Sequence, residues 1–287
     1  MSNSLTVTLM LLLAGMCACD AQPRVSGDVA FDFSDWSGPE VPVRMFVPES
    51  VTPTTTIVLV MHGASRDLER YYADWRKEGE QHDFIAVVPH FDAEAFPGST
   101  RYNLGWVFDP ETDEPRPPEQ WTFAAIEPLF DTVVEKLGGE QEDYTLFGHS
   151  AGSQFVHRFL YFVPEARVKR AIAANAGWYT MPDFGVTWPY GLAGSGVDEG
   201  VLAGYFSRDI VVLVGDADVV REDDSLRKTP EAELQGPHRY ARGHTFFRVA
   251  KARAVDLGVE FGWQLQEVPG AAHSNAQMTP AAAQFVD

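Results

Sequence analysis

The segment of this chain best suited to covalent chemistry is Gly148-His149-Ser150-Ala151-Gly152. A serine hydroxyl is a poor nucleophile at neutral pH, so it needs a base beside it and a turn that lifts it clear of the backbone. The flanking residues supply such a turn. Tyr144-Thr-Leu-Phe147 reads as a short strand, and a helix is expected from Ala151 to Val163. A strand turning so tightly into a helix leaves no room for side chains at 148 and 152, a physical reason for both glycines. A helix that starts just after Ser150 also favours negative charge developing there. The bland alternative is a glycine-rich turn with no chemistry, and the strand before it and the helix after it argue against that.

The base must come from one of eight histidines. His273 is the candidate, because Val268-Pro-Gly-Ala-Ala-His273-Ser-Asn is a loop of small residues just past the last expected strand. His149 lies inside the turn and its side chain is expected to point away from Ser150; His62 follows a strand and is expected to shape a loop. His82, His90, His157, His238 and His244 fall on helices or solvated loops. A carboxylate must orient the base. Val214-Gly215-Asp216-Ala217-Asp218-Val219 ends another buried strand, and Asp218 is the choice, with Asp216 as the alternative. The reading without chemistry is an acidic turn. The resulting chain order is Ser, Asp, His, with room for a strand–helix unit or more in each interval.

The elements that must hold these groups alternate along the chain. Val41–Val47, Thr56–Met61, Phe84–Val88, Tyr144–Phe147, Val168–Ala174, Ile210–Val214 and Phe261–Val268 read as strands, several of them continuous apolar runs of the kind buried on both faces. Leu68–Gln81, Ile126–Leu137, Ala151–Val163 and Tyr240–Leu257 read as helices, with a last one from Thr279 onward. Pro128 is expected in the first turn of its helix or at a kink. Pro97–Pro118 and Gly177–Ser207 read as irregular. This alternation predicts an α/β protein with a mainly parallel sheet covered by helices on both faces, its reactive groups at the carboxyl ends of the strands.

His62-Gly63, Gly148-His-Ser-Ala-Gly152, Gly215-Asp-Ala-Asp218 and Pro269-Gly-Ala-Ala-His273 together resemble the α/β-hydrolase superfamily, over about residues 41–287. Within it the chain is similar to exported bacterial esterases of the polyhydroxyalkanoate-depolymerase and feruloyl-esterase-like branch. The resemblance implies a sheet of about eight strands, a single catalytic domain over 29–287 without a large lid, and serine ester hydrolysis without metal or organic cofactor. It implies an oxyanion hole made by the backbone N–H groups of Ala64, after the early strand, and Ala151, after the serine. It also places the loop at Trp178, Tyr179 and Trp188 over the serine, with Trp106 as the opposite wall. These aromatics either line a cleft for bulky, aromatic or polymeric esters or only pack their loops onto the body. A serine peptidase or acyltransferase on the same fold, and a non-catalytic surface binding protein, are the competing readings.

The formal net charge of −19 and the pI of about 4.7 exclude nucleic acid as a natural partner and otherwise serve solubility or a saline habitat. Lysine is scarce, limited to positions 77, 136, 169, 228 and 251. Leu5–Ala18 has the length and apolarity of a signal-peptide core, although no Lys or Arg precedes it. Met16-Cys-Ala-Cys19 resembles a degenerate lipobox with Cys19 as the lipidated residue; ordinary cleavage near Ala18 or Ala21 is the alternative. Residues 20–28 read as a tether. Both cysteines, Cys17 and Cys19, fall here, so the mature domain has no internal disulfide and no cysteine nucleophile. The expected protein is exported, as a secreted, periplasmic or lipid-anchored monomer.

Overall fold

Five apolar residues in a row, Ile57-Val-Leu-Val-Met61, are all buried, and the same holds for Ile85–Pro89. Such runs have two wet-averse faces and must lie in the middle of a sheet with cover on both sides. In the computed structural model, which describes residues 25–286, the sheet has eight strands: β1 (Gly27–Phe33), β2 (Val41–Val47), β3 (Ile57–Met61), β4 (Ile85–Pro89), β5 (Tyr144–His149), β6 (Val168–Ala174), β7 (Ile210–Gly215) and β8 (Gln264–Val268). Their spatial order is β1-β2-β4-β3-β5-β6-β7-β8. The β1–β2 and β2–β4 pairs are antiparallel and all later pairs are parallel.

Among the described residues seven α-helices complete the fold: α1 (Leu68–His82), α2 (Ile126–Leu137), α3 (Ala151–Phe162), α4 (Glu199–Ser207), α5 (Pro230–Gln235), α6 (Arg239–Leu257) and α7 (Asn275–Ala283). Alternate strand residues feed two separate cores. Val58, Val60, Phe147, Ile172, Val211 and Leu213 pack with Tyr71 and Trp75 of α1 and Met278 of α7 on one face. Ile57, Leu59, Leu146, Ala171, Val212 and Val214 pack with α2, α3 and α6 on the other. This period of two, with helices on both faces, is the layered arrangement expected from the alternation.

The differences from expectation are local. Gly27 and Asp28 belong to strand β1 rather than to a tether, because Tyr72 and Arg76 of α1 both bond Asp28. The 177–207 stretch contains α4, capped by Asp198, whose side chain accepts the Val201 N–H at 2.9 Å. The last strand starts at Gln264, since Phe261 and Trp263 pack with Phe206 and Phe246 instead of extending it. Helix α7 starts at Asn275, four residues before Thr279. Pro128 stands in the first turn of α2. The apolar N-terminal segment with Cys17 and Cys19 lies outside the described residues.

Three histidines inside this body carry a consequence for stability. His62, His149 and His157 are all buried. Desolvation holds His62 down at about 3 and lowers His149 and His157 well below the ordinary imidazole value. In the unfolded chain each takes up a proton near pH 6.5, whereas in the folded chain it does not. The unfolded state therefore binds more protons as the pH falls through that value, and stability drops. Three such groups give a slope of about 4 kcal/mol per pH unit below about pH 6, enough to exhaust an ordinary domain's stability within a few units. Urea unfolding at pH 7, 6 and 5 is expected to show a steep fall in midpoint. A midpoint unchanged from pH 7 to pH 5 would refute this account.

Candidate active site

Ser150 has φ 59° and ψ −115°, a conformation that L-residues adopt only under constraint and at a cost of about 1–3 kcal/mol. The constraint is visible on both sides of it. A Cβ on Gly148 would stand 2.2 Å from the Gly152 backbone, and one on Gly152 would stand 1.9 Å from the Met61 carbonyl oxygen. The Ser150 N–H donates to Ala174 O at 2.9 Å, which ties the turn to β6. The helix that follows, α3, is buried over nearly its whole length, so its N-terminal N–H groups act in a low dielectric.

Strands β5, β7 and β8 are parallel, and their carboxyl ends bring the three candidate groups together. His273 Nε2 lies 2.9 Å from Ser150 Oγ, and His273 Nδ1 lies 2.8 Å from Asp218 Oδ2. Asp218 is 2% exposed, while His273 is open to the surface on one side. Asp216 does not reach the imidazole. Its carboxylate accepts the Gly270 N–H at 2.7 Å and so holds the loop that carries His273. The backbone reinforces this: Ala217 N–H donates to Ala271 O at 3.0 Å, and Gly215 packs so closely on Ala271 that a Cβ would meet its oxygen at 2.3 Å.

Four further residues complete the frame, three of them without a local sequence signal. Asn175 is buried with φ 48°; its amide donates to Ala272 O at 3.2 Å and its oxygen accepts Gly215 N–H at 2.8 Å, so one side chain braces both loops. Arg239, 1% exposed, places Nη1 3.5 Å from Asp218 Oδ1 and 2.8 Å from Asp223 Oδ2, and donates from Nη2 to Ser225 Oγ. Despite partial burial, the bonds from Ser225 and Arg239 hold Asp223 ionised, at about 2. The other two are His149 and Tyr71. The His149 ring lies 4.8 Å from the His273 ring and its Nδ1 is 2.9 Å from Tyr71 Oη. His149 is thus closer to the site than its position in the turn suggests, wedged under the His273 ring rather than aimed at the serine. His62 accepts the Phe91 N–H at 3.1 Å and serves the loop after β3.

Ala64 and Ala151 line one end of an open cleft of about 400 Å³. Among the described residues neither alanine N–H has a backbone acceptor. Gly63 brings the loop to within contact of the serine, since a Cβ there would be 3.6 Å from Ser150 Cβ. Asn103, Gln154 and Trp178 continue the cleft, and Arg66 and Arg227 flank it. Of the aromatics singled out in the sequence, Trp178 alone lines this cleft. Tyr179 stacks on Phe246 in the core, Trp188 packs on Phe108 and Phe162, and Trp106 is held between Arg101 and Arg116. These three are spent on packing their loops.

A serine hydroxyl, an imidazole and a carboxylate joined by two short hydrogen bonds, beside two backbone N–H groups without a backbone acceptor among the described residues, form an arrangement capable of acyl transfer through a covalent intermediate. No protein-family model matches the chain, and no curated protein is significantly similar to it. Solved structures are. The chain is 40% identical to poly(aspartic acid) hydrolase-1 from Sphingomonas sp. KT-1, over 91% of this chain and 98% of that one, with a TM-score of 0.89. It is 34% identical to LpqC, a poly(3-hydroxybutyrate) depolymerase from Bordetella parapertussis, over 91% and 89% of the two chains, with a TM-score of 0.85. An S-formylglutathione hydrolase from Agrobacterium tumefaciens, 16% identical over 92% and 95%, shares the fold with a TM-score of 0.56.

Proposed function

The chain belongs to the α/β-hydrolase family of serine hydrolases that cleave ester bonds, and we propose that it acts on a carboxylic ester through an acyl-enzyme on Ser150. The observation that carries this reading is the unbroken chain of hydrogen bonds from Ser150 Oγ through His273 to Asp218. His273 Nε2 takes the Ser150 proton as Oγ attacks the carbonyl carbon. The Ala64 and Ala151 N–H groups hold the oxyanion. The tetrahedral intermediate collapses as His273 returns its proton to the leaving alcohol. Water, deprotonated by the same imidazole, then attacks the acyl carbon and releases the acid and the free serine. Asp218 accepts from His273 Nδ1 and so fixes the tautomer that leaves Nε2 free.

Bulky or polymeric esters are the proposed substrates. The open cleft beside the serine and the depolymerase relative support that choice. A second reading, cleavage of the amide links of a polymer, is favoured by one observation, the 40% identity to a poly(aspartic acid) hydrolase. An exported site of action, with cleavage or lipid attachment at Cys19, fits a substrate too large to enter a cell; the apolar segment Leu5–Ala18 supports it.

Covalent labelling tests the core of the proposal. The purified domain treated with a fluorophosphonate is expected to gain one adduct by intact mass, and Ser150→Ala to gain none. A folded wild-type protein without an adduct, or a variant that still labels, would remove Ser150 from the reaction. Ester, amide and thioester substrates offered to the labelled-competent protein then separate the two readings.

A further inference from the structure

The carboxylate that holds His273 is surrounded by positive charge. Asp218 lies against the start of α6, where its backbone oxygen accepts the Tyr240 N–H at 3.2 Å and the helix presents its positive end. Two arginines of that helix, Arg239 and Arg242, are each 1% exposed. Arg242 gives its donors to the carbonyls of Gly236 and Gly177 and brings no carboxylate with it. Arg239 Nη1 faces Asp218 Oδ1 at 3.5 Å, and its Nε has no partner among the described residues. A guanidinium so placed works against the base. His273 gains a proton as Ser150 attacks, and Asp218 helps by setting a negative charge beside the new imidazolium. Arg239 alone would cancel much of that charge at close range. It would also compete with His273 Nδ1 for the carboxylate, because charge-assisted bonds close to about 2.7–2.9 Å.

Asp223 removes both conflicts. Its Oδ2 accepts from Arg239 Nη1 at 2.8 Å, a normal hydrogen-bond length, whereas the 3.5 Å separation from Asp218 is longer than one. The shared donor is therefore committed to Asp223. Ser225 fixes this acid from its other side, donating its N–H and its hydroxyl to Asp223 Oδ1 at 2.8 and 2.7 Å, while its Oγ accepts from Arg239 Nη2 at 2.8 Å. Against the cost of partial burial, these bonds keep Asp223 ionised. Among the described residues, Asp218 and Asp223 are the carboxylates within ion-pair reach of Arg239. Two acids around one guanidinium leave one net negative charge, and His273 lies against the acid that is not drawn into the Arg239 hydrogen bond.

We propose that Asp223 is a positioning residue of this site: it engages the Arg239 guanidinium, so that Asp218 keeps its charge and its Oδ2 for His273. The proposal rests on Ser150, His273 and Asp218 as the reacting set and adds a second acid that touches none of the reacting atoms. It also accounts for a buried arginine beside the triad. Arg239 anchors the loop of Asp223 and Ser225 to α6, and Asp224, Ser225, Leu226 and Arg227 of that loop line the cleft. Asp223 lets this anchor stand next to Asp218 without opposing the charge that forms on the base.

Three variants, assayed with 4-nitrophenyl acetate at one fixed pH, separate charge from shape. Asp223→Asn keeps the shape and removes the charge. Its oxygen still accepts from Arg239, and water replaces the acceptor lost to Ser225, which is exposed. The Asp223 side chain is 26% exposed, so solvent screens part of its field. One unit charge acting there is expected to be worth about tenfold in kcat, with KM little changed. Asp223→Glu keeps the charge and is expected to stay close to the wild type. Asp223→Asn combined with Arg239→Gln restores one net negative charge and is expected to recover most of the lost kcat. A merely structural Asp223 predicts the opposite order, with loss in Asp223→Glu and further loss in the double variant. Urea unfolding of each variant gives its folded fraction, to which the rates are referred. An Asp223→Asn kcat equal to that of the wild type overturns the proposal. So does an Asp223→Glu protein no faster than Asp223→Asn, or a folded double variant no faster than the single one. If the double variant does not fold, the contrast between Asn and Glu decides alone. If the wild type is labelled by fluorophosphonate but does not turn over this ester, the labelling rates of the same variants take the place of kcat. A folded wild type that neither hydrolyses the ester nor labels at Ser150 overturns the parent reading and this one with it.

Discussion

Asp218→Asn is expected to lower kcat by about four orders of magnitude while leaving the protein folded and KM little changed. The reason lies in what flanks the carboxylate on each side. Oδ2 accepts from His273 Nδ1 at 2.8 Å, and Oδ1 faces Arg239 Nη1 at 3.5 Å. An asparagine there has one oxygen and one NH₂. The guanidinium can only donate, so it attracts the oxygen and leaves the NH₂ pointing at the imidazole. A donor at that place makes Nδ1 the acceptor and moves the ring proton to Nε2, the nitrogen that must receive the proton of Ser150. Arg239 keeps its bond to Asp223 at 2.8 Å, so the variant does not strand a buried charge and folds normally. Steady-state kinetics with a chromogenic ester, together with urea unfolding, check both halves. A loss of less than tenfold in Asp218→Asn would mean that another group orients the base.

How much of this site could be read from the chain depends on the range of the interactions. Gly148, Ser150 and Gly152 form a local motif, because the collision that demands glycine at both ends occurs within one turn and the adjoining strand. His273 and Asp218 are legible by position, each just past an apolar run that ends as a strand. Choosing Asp218 over Asp216 needed the turn after Gly215, and the structure gives the two acids separate jobs: one holds the His273 ring, the other the backbone of its loop. Arg239, Asn175 and Tyr71 were invisible. Each acts through a partner tens of residues away, and nothing in the residues next to Asn175 or Arg239 distinguishes a buried brace from an ordinary turn or helix start. The aromatic loop illustrates the opposite failure. Trp178, Tyr179 and Trp188 look alike in sequence, yet one lines the cleft and two pack inward, because the side toward which a loop residue points has no periodicity to betray it.

The fold follows the same division. β3, β4 and β7 are apolar on both faces and announce themselves, while β1 alternates exposed and half-buried residues at the sheet edge and carries a weaker signal. Helix α4 contains Gly200 and Gly204, which mask it in sequence; its formation depends on the Asp198 cap and on burial of Leu202, Tyr205 and Phe206. Tertiary burial overrides intrinsic propensity there. The arginines around the cleft belong to the same class of information: their number is visible in the sequence, but whether each has a counter-ion is not.

Gly152→Ala is expected to cost at least about 3 kcal/mol of stability, and to cripple whatever folds, although the change adds one methyl group at the start of a helix where alanine is ordinarily the preferred residue. The new Cβ would stand 1.9 Å from Met61 O and 2.8 Å from His62 O, and both are backbone atoms. No rotamer change relieves such a contact; β3 and α3 must separate. Met61 pairs with Gly148 across the β3–β5 ladder, so separation strains the centre of the sheet. The displaced strand end also carries Gly63 and Ala64, and moving the Ala64 N–H by a fraction of an ångström weakens the proposed oxyanion hole. Loss of one such donor lowers kcat by about two to three orders of magnitude. Gly204→Ala supplies the contrast. It lies in α4 with nothing within 4 Å of its Cβ, and the same chemical change there should stabilise by about 0.4–1 kcal/mol. Urea midpoints of the two variants, with their rates of fluorophosphonate labelling, separate the role of close backbone approach from that of helix propensity. A Gly152→Ala protein as stable and as reactive as wild type would mean that β3 and α3 are not packed as tightly as the turn around Ser150 requires.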